Sequence, residues 1–269
     1  MPKNMINIID IHNHSLPKID DGAKDNDMSI EMLKVAVDSG TSQIVLTPHH
    51  LNGAFNNFRD SIVEDTSKLQ ALANEQEIPI KLHYGTEIHL VPETVPQIIE
   101  NKALTYCGLG KAALIELPKN SIPSGTESIL SKLIYNGITP IIAHPERNSS
   151  LRRDHTQFIE WIEFGCKSQV TGQSCTGGFG SSLEEFSFEL ISKNLVHFIA
   201  SDAHRPTGRS PNLKDALATI TENFGEQAAQ TLFHDNPLRL INGEDIISLN
   251  LKVKSKPAKK RKGWLSFLK

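Results

Sequence analysis

Short apolar runs alternate with amphipathic stretches along most of the chain. Met5–Ile11 (MINIIDI), Gln43–Thr47, Ile80–Ile88, Ala112–Leu117, Thr139–His144, Lys167–Gly172 and Val196–Ser201 read as strands. Each is a brief apolar or β-branched run bounded by polar or turn-forming residues. Helical periodicity marks Met28–Gly40, Phe58–Glu77, Gly125–Gly137, Thr156–Gly165 and Ser182–Asn194, with two further stretches at Leu213–Phe224 and Gly225–His234. Strands that alternate with helices build βαβ units around a parallel sheet. Roughly seven such units in one chain predict an α/β barrel near the (βα)8 type, distorted or one unit short.

Composition narrows this only a little. A chain of 269 residues, 38% hydrophobic and 22% charged, fits one globular domain, placed here at residues 1–250. The net charge of −3 gives no signal for nucleic acid. No apolar run reaches the roughly 18 residues of a membrane span, and the N-terminus enters a strand without an apolar leader. Cys107, Cys166 and Cys175 lack paired spacing and read as reduced thiols, so a cytoplasmic location is expected. Residues 251–269 break the pattern: from Lys252 on, KVKSKPAKKRKGWLSFLK is strongly basic and closes on Trp264, Leu265, Phe267 and Leu268. The plain reading is a flexible, solvated tail. The sharper one is weak contact with an anionic membrane surface or an acidic partner.

In a parallel barrel, functional groups project from the C-terminal ends of the strands. The first strand here runs into His12 and His14, with Asp20 and Asp21 close behind. Later strands end at His49 and His50, at Glu87, at Glu116, at His144 with Glu146 and Arg147, and at Asp202 with His204. Imidazoles and carboxylates without cysteine suit Zn, Mn, Fe or Co. These donors are too many for one ion and fit two or three that share bridging carboxylates. Ions about 4 Å apart clamp an oxyanion and lower the pKa of bound water toward about 7. That is equipment for hydrolysing a phosphate ester. Arg147 and Arg209 would complete it by gripping phosphate oxygens, although a surface ion pair is the plainer reading of each. His49 is favoured over His50 as a ligand, and Asp20 against Asp21 stays open. His83, His89, His155, His197 and His234 read as ordinary satisfied histidines, and Asp25 and Asp27 as the start of the first helix. Gly108–Lys111 (GLGK) lacks the spacing of a phosphate loop.

The motifs DIHNH, DDG, TPHH, GTEIH, IELP, AHPER and SDAH, in this order, resemble those of the PHP (polymerase and histidinol phosphatase) superfamily. Over Met5 to Pro211 the chain looks most like the manganese-dependent tyrosine-protein phosphatases of bacterial capsule and exopolysaccharide loci, the CpsB/YwqE type. The resemblance implies a distorted (βα)7 TIM-like barrel, the PHP fold, holding three divalent ions: Mn2+ first, with Fe, Zn or Co as alternatives. It implies His12, His14, Glu87 and Asp202 on one ion. Glu87 would bridge to a second ion held with Glu116 and His144, and Asp21, His49 and His204 would hold the third. Arg147 and Arg209 would meet the phosphate. The implied substrate is phosphotyrosine on the tail of a membrane-associated bacterial tyrosine kinase that regulates polysaccharide export. The stretch TPHHLNGAFNN departs from the family in lacking basic residues after the ligand histidine, and the basic tail is a second departure.

A cysteine-based phosphatase is excluded by the residues themselves. That chemistry needs an arginine six positions after the nucleophile, where this chain has Ala113, Gly172 and Ser181. The runner-up is a PHP phosphoesterase acting on a small monoester such as histidinol phosphate. A nuclease is disfavoured because no basic groove is evident outside the tail. A non-catalytic metal-binding or docking module predicts metal without turnover.

Overall fold

The computed structural model describes residues 6–251. The basic tail, with the surface contact expected of it, lies outside the described residues. The chain runs β1 (Ile8–Asn13), α1 (Asn26–Asp38), β2 (Thr41–Leu46), β3 (His49–His50), α2 (Arg59–Glu75), β4 (Lys81–Tyr84), β5 (Glu87–His89), α3 (Thr94–Ile99), β6 (Ala112–Glu116) and α4 (Thr126–Tyr135). It continues through β7 (Thr139–Ala143), α5 (Ser149–Arg153), α6 (Thr156–Phe164), β8 (Lys167–Thr171), α7 (Ser181–Ser192), β9 (Phe198–Ala200), α8 (Lys214–Phe224), α9 (Glu226–Gln230) and α10 (Asn236–Ile241).

Every strand pairing is parallel, in two ladders ordered β1-β2-β4 and β3-β5-β6-β7-β8-β9. The ladders are two parts of one wrapped sheet. β3 continues β2 past a break at Thr47–Pro48, and β5 continues β4 past Gly85–Thr86. Hydrogen bonds from Thr47 N to Asn13 O (2.9 Å), Gly85 N to Leu46 O (2.8 Å) and Glu87 N to Pro48 O (3.1 Å) carry the pairing across both breaks. The last strand returns to the first through Asp202 N to His12 O (2.8 Å) and His14 N to Ala203 O (2.9 Å). Counting each broken strand once, seven staves form a distorted TIM-like barrel. The single strand expected over Ile80–Ile88 is thus two short ones. The break at Pro48 reflects a residue with no N–H to offer a ladder. At Gly85 an added Cβ would come within 3.2 Å of Val45 Cγ1, a close approach that suits glycine.

Alternation along the strands divides the core into two shells. Ile9, Ile11, Leu114, Ile141 and Phe198 join one buried cluster inside the barrel. Ala113, Ile115, Ile142, Val170 and Ile199 join another, under α4, α6, α7 and α8. Asp25 caps α1 by accepting from Met28 N at 2.9 Å. The short helices α3 and α5 were not foreseen, and both follow strand ends at the functional edge. No helix among the described residues is long and apolar enough to cross a membrane.

Candidate metal centre

The end of β1 sets the first group. Its register against β2 slips between Asp10 and Asn13, and a bulge of this kind re-aims the side chains that follow. His12 Nε2 and His14 Nε2 end 3.1 Å apart. Glu87 Oε2 lies 3.2 and 3.4 Å from these two nitrogens, and Asp202 Oδ1 lies 3.4 and 3.5 Å from them. Donors held 2.0–2.2 Å from an ion stand roughly 3.3–3.6 Å apart around a tetrahedron. The four atoms have close to that spacing before any ion is considered.

Two further groups flank the first. Asp21 Oδ1 lies 3.3 Å from His49 Nε2 and 3.2 Å from His204 Nε2, with the His14 ring 4.0 Å from the His204 ring, centroid to centroid. Glu87 Oε2 lies 3.0 Å from His49 Nδ1, while its Oε1 lies 2.8 Å from His144 Nε2. Glu116 Oε1 is 4.0 Å from His144 Nε2. Eight of the nine sequence-predicted donors fall into three overlapping groups, in which His14, His49 and Glu87 are each shared by two; the ninth, His144, joins them through its contact with Glu87. His50 is separate: it is buried edge-on to Phe58, with ring centroids 5.3 Å apart.

Several buried donor atoms at the centre have no hydrogen-bond partner, among them His49 Nδ1, Glu87 Oε2, Asp202 Oδ1 and His204 Nε2. Leaving such groups unpaired is costly, and cations fit the array. Burial alone would raise the Glu87 and Asp202 carboxyls, but His12 and His49 around Glu87, and Arg147 and His12 around Asp202, hold both well below the usual range. Burial likewise opposes a charge on His49, yet Glu87 and Asp21 lift it to about 10. His12 and His14 are raised for similar reasons. His204, desolvated and beside His14, falls to about 4. Without metal, then, protons sit where ions would bind, and binding must displace them. Mn2+ titrated into metal-free protein at about pH 7 is expected to release protons, with affinity weakening as pH falls. Calorimetry in buffers of different ionisation heat measures this, and zero proton release would contradict the assignment.

Groups behind the donors fix their orientation. His12 Nδ1 donates to Gln169 Oε1 at 2.8 Å, and His14 Nδ1 to Asp20 Oδ2 at 2.7 Å, so both Nε2 atoms face the centre. This separates the two aspartates: Asp20 is buried behind His14 and also accepts from His49 N at 3.1 Å, while Asp21 faces the third group. The following glycine is obligatory, because a Cβ at Gly22 would stand 2.0 Å from the His14 carbonyl oxygen. Asp10 accepts from Ser201 N (2.9 Å), Ser201 Oγ (2.6 Å) and Asn13 Nδ2 (3.0 Å), tying the ends of β1 and β9 together. His144 (φ 33°) and Asp202 (φ 50°) hold left-handed backbone, strain of the kind retained at functional sites.

Arg147 and Arg209 both pair with Asp202 Oδ2, the latter at 2.8 Å. Glu146 turns away from the centre, its Oε1 accepting from Thr171 N (3.0 Å) and Ser174 Oγ (2.7 Å), and so anchors the turn that presents Arg147. A cavity of about 530 Å³ opens over the donors, with Arg147, Arg209, Phe179 and Leu183 in its wall. Of the histidines set aside from the sequence, His197 is buried and depressed to about 3. His83 bonds Gln43 at 2.8 Å and is lowered by burial to about 4. His89 is the exception, since its Nδ1 lies 3.0 Å from Glu116 Oε2 and so supports a candidate ligand. Burial pushes the Cys107 and Cys166 thiols up to about 11 and about 12 and raises Cys175, the opposite of an activated nucleophile.

The family model for capsular polysaccharide synthesis, CpsB/CapC, matches residues 8–242. The tyrosine-protein phosphatase YwqE of Bacillus subtilis (strain 168) is 37% identical over 235 residues, which is 87% of this chain and 92% of that protein. The tyrosine-protein phosphatase CpsB of Streptococcus pneumoniae is 29% identical over 239 residues, 87% and 98% of the respective chains. Among solved structures, one from the work on YwqE of B. subtilis and CpsB of S. pneumoniae as metal-dependent tyrosine phosphatases matches with a TM-score of 0.87. It is 34% identical and covers 91% of this chain and 98% of its own. A lactonase from Listeria monocytogenes, at 14% identity and TM-score 0.54 over 89% of this chain and 96% of its own, shares the fold.

Proposed function

The chain belongs to the CpsB/CapC family of capsular polysaccharide synthesis, and from that premise we propose that it is a metal-dependent protein-tyrosine phosphatase. Its substrate on this reading is phosphotyrosine on a bacterial tyrosine kinase that regulates capsule or exopolysaccharide synthesis. The observation that carries the proposal is the convergence of nine imidazole and carboxylate side chains, Glu87 among them, at the floor of a cavity walled by two arginines. His12, His14, Glu87 and Asp202 would hold one divalent ion, Glu87, Glu116 and His144 a second, and Asp21, His49 and His204 a third, with Mn2+ the favoured metal. Bound there, the ions supply Lewis acidity and a nucleophilic water at neutral pH.

The chain's own groups do the rest. Arg147 and Arg209 offer planar forks to the phosphate oxygens and offset charge that grows in the transition state. Phe179, Leu117 and Leu183 line the cavity with apolar surface for the tyrosyl ring. The departing phenolate, with a pKa of about 10, needs little acid help.

Exhaustive chelation is expected to abolish turnover of a phosphotyrosine peptide, and added Mn2+ to restore it. Histidinol phosphate in the same assay should be turned over far more slowly. Full activity after chelation would refute the metal reading, and a preference for histidinol phosphate would favour the small-monoester alternative. We also assign the basic tail, eight Lys or Arg and no acid from 252 to 269, to weak contact with an anionic surface near that substrate. Removing residues 252–269 should leave peptide turnover intact and abolish sedimentation with phosphatidylserine vesicles. Unchanged sedimentation would overturn that assignment.

A further inference from the structure

The outer rim of the cavity carries charge that the phosphate chemistry does not use. Every acidic residue lining the cavity (Asp21, Glu87, Glu116 and Asp202) is a metal-donor candidate, and Arg147 and Arg209 stand over the donors. The remaining charged residues of the lining are Lys119 and Arg152. Both are exposed, and neither side chain has an ion-pair partner among the described residues. The loops that carry them are stitched together. Asn148, buried, caps α5 through Ser150 N and Leu151 N, and its Nδ2 donates to Pro118 O (2.7 Å) and Ser121 O (3.0 Å). Ser149 N donates to Lys119 O at 3.0 Å, and Ser150 Oγ to Asn120 O at 3.0 Å. The two cations therefore sit on a braced platform at one side of the cavity mouth. Phe179, also in the cavity wall, meets the Arg147 guanidinium at 5.8 Å from its ring centroid.

We propose that Lys119 and Arg152 make this site selective for peptides with a second negative charge within a few residues of the phosphotyrosine. This rests on the phosphatase reading and adds to it the chemistry of the flanking sequence. With donors and arginines committed to the phosphate, an unpaired cationic rim faces whatever flanks the tyrosine. A carboxylate or a second phosphate meets it favourably, and a lysine is repelled. Because the rim is exposed, the preference is ionic and weakens with salt.

The test uses the full-length Mn2+-loaded protein and four substrates. These are a phosphotyrosine peptide with neutral flanks, the same peptide with flanking Asp and Glu, one with a neighbouring second phosphotyrosine, and p-nitrophenyl phosphate, which has no flank. The acidic and doubly phosphorylated peptides should exceed the neutral one in kcat/KM by about tenfold at low ionic strength, chiefly through KM. The ratio should collapse toward one in the double variant Lys119→Ala/Arg152→Ala and invert in Lys119→Glu/Arg152→Glu. The two anionic peptides show whether carboxylate or phosphate is the better flank. Ratios near one in the unaltered protein, or ratios that survive both double variants, would overturn the proposal alone. An equal loss on p-nitrophenyl phosphate would assign the cations to the reacting phosphate and overturn it too. No turnover of any substrate would bring down the phosphatase reading and the proposal with it.

Discussion

Changing Glu87 to glutamine is expected to lower kcat on a phosphotyrosine peptide by about a thousandfold or more, equivalent to about 4 kcal/mol of transition-state stabilisation. Glu87 is buried where two of the three donor groups meet, and His49, which it faces, belongs to the third. Its Oε1 faces His144, and its Oε2 faces His12, His14 and His49 within 3.0–3.4 Å without a hydrogen-bond partner. Glutamine keeps the shape but removes the charge, and its amide turns N–H groups toward atoms that must coordinate. Loss of a mere supporting contact costs about 10–100-fold in metal affinity or activity, and loss of a bridging ligand should exceed that. Metal content should fall with the activity while the far-ultraviolet circular dichroism stays native. A Glu87→Gln protein with full metal content and near-normal kcat would remove the bridge from the mechanism.

The residue types at the strand ends were legible because a parallel barrel has one functional edge and the sequence marks where each strand stops. His12, His14, Glu87, Glu116, His144, Asp202 and His204 follow from that alone. What supports them was not legible. Gln169 lies inside a strand and reaches His12 across 157 residues of sequence, a pairing that no local pattern encodes. Asp10 interrupts an apolar run, and a carboxylate buried in a strand needs partners; Asn13 is a local one on the same strand, but Ser201 arrives only once β9 closes beside β1. Asp20 and Asp21 could not be told apart because the turn through Gly22 decides which one points inward. The broken staves were missed for a related reason: apolar periodicity reports which face is buried and is silent about where a ladder loses its register.

Arg147→Ala is expected to reduce kcat/KM for the phosphotyrosine peptide by about 10²–10³-fold, the cost of removing one preorganised donor from a developing oxyanion. Metal content should stay unchanged, since Arg147 touches only the outward oxygen of Asp202. The position is built for the task. Burial would discourage the guanidinium charge, but Asp202, Glu146 and Glu87 sustain it, and Glu146 holds the turn through Thr171 and Ser174. Arg209 meets the same oxygen with its side chain 36% exposed against 22% for Arg147, and its removal should cost less. Lysine at 147 should recover only part of the loss, because an ammonium lacks the planar two-point grip on phosphate. The two arginines now share one carboxylate oxygen, so a phosphate entering between them competes with Asp202 for both forks and leaves that aspartate for the ions. If Arg147→Ala keeps kcat/KM within about threefold of the parent protein, far short of an oxyanion donor's contribution, the arginine serves Asp202 alone and the phosphate is held by the ions.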